Sequence, residues 1–294
     1  MNITDYLAER KRAVDECLAR LVPAESAAPP MIHGAMRYSL FAGGKRVRPI
    51  LVLAVGESLG GGRDTLLHLG AAIEMIHTYS LIHDDLPALD NDDLRRGRPT
   101  CHKVFGEAMA ILAGDALMTR AYQVLAELPE VPDSTRLAII REIAFATGTV
   151  EGMIGGQVVD LESEGKPINA QVLEYIHRSK TGALLTACIR CAALAAGAND
   201  GQLRGLTGFG NKIGLAFQIV DDILDMTASS EELGKTAGKD QKVKKATYPA
   251  LYGLESSRQK AQELITAAVA EIRDLGDRAE PLRELARFVY SRTA

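Results

Sequence analysis

Apolar residues recur three or four positions apart along almost every long segment of this chain, and alternating β-branched runs bounded by hairpin signals are missing. A chain with that period buries its apolar side chains by packing helix on helix, so an all-α fold is expected. Breaks fall at Pro23 to Pro30, Gly43-Gly44, Gly60 to Gly62, Pro87 to Pro99, Pro129 to Pro132, Pro167, Asn199-Asp200 and Thr227 to Ala246. They divide the chain into roughly ten helices. No stretch is long, polar and repetitive enough to act as a linker, and no solenoid period is present. One domain over residues 1–294 is therefore predicted.

With 34 basic and 38 acidic residues, the bulk charge gives no ground for a nucleic-acid or membrane-surface protein. The first twenty-two residues carry charges throughout and read as an ordinary amphipathic helix rather than a leader. The most apolar later stretch, residues 183–198, is interrupted by Arg190 and is too short to span a bilayer. A cytoplasmic protein is expected. Cys188 and Cys191 have a C-x-x-C spacing, but no further ligands follow and the pair lies in an Ala/Leu-rich helical run. Buried, reduced thiols are the expected state of all four cysteines.

Two segments stand out, about 64 to 84 and 203 to 226, each apolar on nearly all sides and each ending in aspartates. The first runs into DDLPALDNDDLRRGRPT with Asp84, Asp85 and Asp90; the second ends in DDILD with Asp221, Asp222 and Asp225. The C-terminal end of a helix is electrostatically the wrong place for unpaired carboxylates. Finding the arrangement twice points to a bound cation. Asp221 and Asp225 are four apart and share a helix face with Gln218 one turn earlier, a geometry suited to oxygen-loving magnesium. Asp84 and Asp90 are six apart and do not share a face. Pro87 disfavours helix at Leu86, so the chain is expected to bulge there and turn Asp90 back toward Asp84.

Cationic groups complement these acids: Lys45, Arg46 and Arg48 after Gly43-Gly44; Arg95, Arg96 and Arg98; and Lys235 with Lys239 in GKTAGKD. Each lies in a glycine-containing break, where backbone and guanidinium can both approach phosphate oxygens. Lys180-Thr181 is a fainter candidate. No G-x-x-x-x-G-K-[ST] phosphate loop is present. His77 lies seven residues before Asp84 and faces the same way about 10 Å along the helix.

These motifs, together with GGKRVRP, IHTYSLIHDD, CHKVFGEAMAILAGDAL, GGQ, SKTGAL and LGKTAGKDQ, resemble the polyprenyl diphosphate synthases, and specifically their bacterial farnesyl type with two extra residues inside the first motif. The resemblance covers most of the chain. It implies an isoprenoid synthase fold of mostly antiparallel helices around a central cavity, paired into a homodimer. It implies that isopentenyl diphosphate is condensed with an allylic diphosphate, dimethylallyl or geranyl, to give farnesyl diphosphate, with a geranylgeranyl product as the alternative. By the same resemblance Asp84, Asp85, Asp90, Asp221, Asp222 and Asp225 hold three magnesium ions. Arg95, Lys180, Thr181, Gln218, Lys235 and Lys239 contact the allylic diphosphate, and Lys45, Arg48, His77 and Arg96 bind isopentenyl diphosphate. A bulky residue five before the first aspartate, here Tyr79, floors the cavity and sets product length. Helical projection instead puts Ser80 closer to the Asp84 face. A metal phosphohydrolase using His77 and His83-Asp84 is a more distant reading that leaves Asp221 to Asp225 and the basic clusters unexplained, and a non-catalytic helical binding protein is a third, favoured by absence of magnesium-dependent turnover with any allylic diphosphate.

Overall fold

The computed structural model describes residues 2–167, 169–227 and 247–291. Apart from one two-stranded hairpin its regular structure is helical: α1 (Ile3–Leu21), α2 (Pro30–Leu40), α3 (Val47–Leu59), α4 (Arg63–Asp84), β1 (Leu94–Arg95), β2 (Arg98–Pro99), α5 (Cys101–Phe105), α6 (Glu107–Ala126), α7 (Asp133–Thr147), α8 (Met153–Ser163) and α9 (Ala170–Ile176). A π-helical turn, His177–Gly182, joins α9 to α10 (Ala183–Ala195); then come α11 (Asp200–Thr227), α12 (Tyr248–Tyr252), α13 (Leu254–Glu271) and α14 (Glu280–Ser291). Helix starts follow local chemistry. The Asn2 side chain accepts from the Thr4 and Asp5 amides at α1, and Pro30 opens α2 at a position where no N–H is needed.

The all-α expectation holds, and the breaks that fall on described residues lie between helices. Fourteen α-helices are described rather than ten, because Gly106, Gly253, the 148–152 segment, the π-helical turn and residues 272–279 also interrupt the chain. Two of these are positive-φ glycines, at 83° each, which end one helix and start the next. The hairpin was also not anticipated: its strands are two residues long, too short to show an alternating pattern.

The two apolar segments are the central helices. α4 packs between α3 and α6, and α11 between α10 and α13. Leu66, Leu69, Ile73, Met75 and Ile76 of α4 are fully buried, each side chain contributing about 1.5–3 kcal/mol of hydrophobic stabilisation. One apolar cluster runs without interruption from α1 to α14. All four cysteines are buried and free. Burial pushes the Cys188 thiol up to about 12 and Cys191 well above its ordinary value, so both remain protonated. No described helix is long and apolar enough to cross a membrane.

Candidate active site

α4 ends at Asp84, and the chain then folds back on the helix terminus. The Asp90 amide donates to the Asp84 carbonyl (2.8 Å), Asp92 to the Asp85 carbonyl (3.2 Å), and Leu89 and Asn91 both donate to the carbonyl of Leu86. These bonds satisfy carbonyls that a helix end leaves unpaired, and they bring Asp90 beside Asp84 as the Pro87 bulge requires. Burial raises the Asp84 carboxyl to about 6; Lys180 and Arg95 oppose the shift, while Asp90 and Asp85 add to it. An acidic pair at a helix C-terminus is thus partly desolvated and self-repelling, the state that a cation relieves.

The hairpin sorts the neighbouring arginines. Leu94 pairs with Pro99 and Arg95 with Arg98, leaving a two-residue loop. Arg96 and Gly97 both have positive φ, 55° and 73°, which is the backbone of a type I′ turn. Arg95, on the strand, turns inward: its Nε donates to both carboxylate oxygens of Asp85 (2.7 and 2.9 Å), and its terminal nitrogen lies 2.5 Å from the same carboxylate. Arg96, at the turn, reaches the other way and donates to the Gly43 carbonyl. The hairpin base is held independently by Tyr38, whose hydroxyl donates to the Pro99 carbonyl (2.8 Å), and by the Thr100 amide on Asp93 (3.0 Å).

On the other central helix, Gln218, Asp221, Asp222 and Asp225 occupy the last turns of α11 and are all partly buried. Asp222 Oδ2 is 2.9 Å from His177 Nε2 and accepts the Tyr248 amide at 2.7 Å. This ties α11 both to the π-helical turn and to the start of α12. The turn itself presents Lys180 and Thr181. Lys180 Nζ lies 2.7 Å from Asp160 Oδ2 on α8, and Gly156 of α8 faces the Lys180 backbone so closely that a Cβ would overlap it. A π-helical turn holds one extra residue, which re-aims the side chains around it, and such turns, rare overall, are frequent at functional sites. Here it aims Lys180 within electrostatic reach of Asp84 while its own turn stays packed on α11. Lys235 and Lys239 lie outside the described residues.

A cavity of about 1260 Å³ is lined by residues of α1, α3, α4, α10, α11 and α14 and by the hairpin; the six aspartates and Tyr79 are not among its lining residues. Lys45, Arg48, His77 and Arg96 line one side of it; Leu51, Leu185, Phe209, Ile213, Phe217 and Leu224 supply apolar wall. His77 is held well below its ordinary value by burial and then by the charges of Arg48, Arg96, Arg95 and Arg46. It is therefore neutral at pH 7, in a setting built for an anion. Burial, Arg46, Arg95 and Arg48 also lower Arg96, against the opposing pull of Glu74. Arg48 Nε is buried and has no hydrogen-bond partner among the described residues. Arg46, grouped with these cations in the sequence, is different: it is paired with Asp15 and Glu74.

Tyr79 is buried on α4, its ring edge-on to His83 at 5.6 Å. Burial, with Tyr122 of α6 and Asp84 acting in the same sense, pushes its phenol up to about 12. Tyr79 is thus within electrostatic range of Asp84, which helical projection alone did not indicate. Ser80 Oγ donates to the His77 carbonyl (2.9 Å). Sequence reasoning did not single out Asp160, His177, Asp15 or Glu74. A signal existed for Glu74 only: histidines aside, it is the lone charged residue of α4 between Asp64 and Asp84.

Residues 29–280 match the family model described as polyprenyl synthetase. The chain is 47% identical over 294 residues to the farnesyl diphosphate synthase of Geobacillus stearothermophilus, covering 99% of this chain and 98% of that protein. It is 46% identical over 293 residues to the geranylgeranyl diphosphate synthase of Cyanophora paradoxa, covering 99% and 97%. Among solved structures, an FPP/GFPP synthase from Zymomonas mobilis superposes with a TM-score of 0.89 at 37% identity, covering 98% of this chain and 99% of that one. Similarity of this extent, in sequence and in fold, shows that the chain belongs to the polyprenyl synthetase family of prenyltransferases.

Proposed function

We propose that the protein is a farnesyl diphosphate synthase, joining isopentenyl diphosphate to dimethylallyl and then geranyl diphosphate with magnesium as cofactor. The observation that carries this reading is the division of labour at the hairpin. Arg95 faces the aspartates while Arg96 faces a separate cation-lined cavity, as two anionic substrates held side by side would require.

The donor set fits magnesium. Six aspartates offer hard oxygens at the ends of α4 and α11. Among the described residues no three acidic, histidine or cysteine side chains converge on one point, and magnesium needs no such cage, since it fills its shell with water and substrate phosphate. Asp84, Asp85, Asp90, Asp221, Asp222 and Asp225 would hold three ions. The bonds from Arg95 and His177 orient Asp85 and Asp222 without using up their acceptor sites. When bound, magnesium adds positive charge against the departing diphosphate.

The remaining steps belong to the protein's own groups. As the allylic C–O bond breaks, negative charge gathers on the diphosphate, and Arg95, Lys180, Thr181 and Gln218 meet it there, with Lys235 and Lys239 in the same role. Lys180 would exchange Asp160 for a phosphate oxygen. Lys45, Arg48, His77 and Arg96 hold isopentenyl diphosphate so that its double bond faces the allylic carbon and forms the new C–C bond. The proton that then leaves passes to the released diphosphate. Phe217, Leu224 and their neighbours keep water from the cation.

Incubation with dimethylallyl and isopentenyl diphosphates plus magnesium tests the reading: a fifteen-carbon product supports it, a twenty-carbon product selects the geranylgeranyl alternative, and release of diphosphate without chain growth rejects both. Product length is assigned to Tyr79, whose buried ring would stop the growing chain, with Ser80 beside it. Tyr79→Ala is expected to shift the main product to twenty carbons or more by mass spectrometry. An unchanged fifteen-carbon product would remove Tyr79 from that role. A homodimer is proposed as well, supported by apolar side chains exposed on three successive helices: Ile111 and Leu112 of α6, Leu137 and Phe145 of α7, and Ile154 and Val158 of α8. Sedimentation should give twice the chain mass; a monomer at micromolar concentration would contradict this.

A further inference from the structure

Two charged side chains beside the cavity have no part in the reaction as outlined, and both are almost inaccessible: Arg46 is 3% exposed and Glu74 2%. Arg46 Nη1 donates to Glu74 on α4 (2.9 Å), its Nε to Asp15 on α1 (2.8 Å), and its Nη2 to the Leu40 carbonyl at the end of α2 (2.6 Å). One guanidinium thus joins three helices to the N-cap of α3. The backbone it anchors is unusual. Gly43 and Gly44 have φ of 95° and 113°, and Arg46 itself has φ of 53°, a conformation few non-glycine residues adopt. Lys45 and Arg48, on either side of Arg46 in the chain, line the cavity with it.

Stability alone does not account for such a pair. Desolvation of two buried charges offsets most of their attraction, and an apolar pair of similar volume does as well or better. What an apolar pair cannot supply is direction: a planar fork with fixed donors that specifies the path of a charged loop. Nor could it put a negative charge among Arg46, Arg48 and Arg96, which otherwise repel one another.

We propose that Arg46 and Glu74 are positioning residues for the isopentenyl diphosphate cradle, Glu74 fixing Arg46 and Arg46 fixing the loop that presents Lys45 and Arg48. The inference rests on the reading of the cavity given above. It also makes a prediction of opposite sign to simple electrostatics. If Glu74 were only a negative charge near an anion, removing that charge would tighten binding. If it positions Arg46, removing it loosens the cradle.

The test is Glu74→Gln, which keeps the size of the side chain, with steady-state kinetics for each substrate and calorimetric binding of isopentenyl diphosphate. The KM and Kd for isopentenyl diphosphate should rise about tenfold, the scale of one charge-assisted hydrogen bond, with the allylic KM unchanged. Binding that is unaltered or tighter overturns the proposal, as does an equal loss for both substrates. Should Glu74→Gln fail to fold, Asp15→Asn touches the same guanidinium from a more exposed side chain. It should raise the same KM selectively by about threefold, and no change there would also overturn the proposal. Lys45→Ala, run in parallel, judges the cavity itself. Intact isopentenyl diphosphate binding in Lys45→Ala rejects the cavity assignment, whereas weakened binding there with Glu74→Gln unaffected rejects the positioning role alone.

Discussion

Replacing Asp84 by asparagine is expected to lower turnover by about a thousandfold, because Asp84 would help hold the magnesium charge set against the departing diphosphate and the loss of one such stabilising group is of that scale, while making the metal-free protein more stable. The second half follows from burial. The carboxyl is raised from an ordinary 3.8 to about 6, so above pH 6 its ionised form costs the folded state about 3 kcal/mol. That cost shrinks as pH falls from 6 toward 3.8 and vanishes below, where the group is protonated in both folded and unfolded chains. Asp84→Asn should therefore melt higher than the parent at pH 7.5 and equally at pH 3.5, in thermal unfolding without metal. A variant that is less stable at pH 7.5 would show that the ionised Asp84 serves the fold, and one that keeps its turnover would remove Asp84 from the chemistry.

Arg96→Ala should raise the KM for isopentenyl diphosphate by about a hundredfold, the upper range for one charged hydrogen bond, and leave the allylic KM nearly unchanged. The selectivity comes from the turn. Arg95 and Arg96 are adjacent, yet only Arg95 meets Asp85, whereas Arg96 lines the cavity. Removing the Arg96 side chain leaves the hairpin standing on Tyr38 and on the Thr100 amide, so Arg95 keeps its place. Varying one substrate at saturating concentrations of the other gives both constants. A matched rise in the two would mean that the hairpin serves a single site and that the two-substrate division is wrong.

The helical period, the proline and glycine breaks and the two aspartate-tipped apolar segments were legible because each is a local property: side-chain spacing decides which face is buried, and ring or missing Cβ decides where a helix can continue. The Pro87 bulge was legible for the same reason, and the Asp90–Asp84 backbone bond bears it out. The hairpin was not, since two-residue strands carry no period. The π-helical turn was hidden as well, because residues 177–182 follow directly on α9 and run straight into α10, and the extra residue shows only in the backbone bonding.

By itself, then, the sequence determined the fold class, the two acid-bearing helices and the family, all of which rest on short-range spacing and on motifs contiguous along the chain. Only the tertiary structure showed which cations are paired within the protein. Lys45, Arg46 and Arg48 look equivalent in a row of letters, yet Arg46 is neutralised by Asp15 and Glu74, 31 and 28 residues away, while Lys45 and Arg48 line the cavity. Charge acts through space, and the distances that set its partners arise only when α1, α3 and α4 come together.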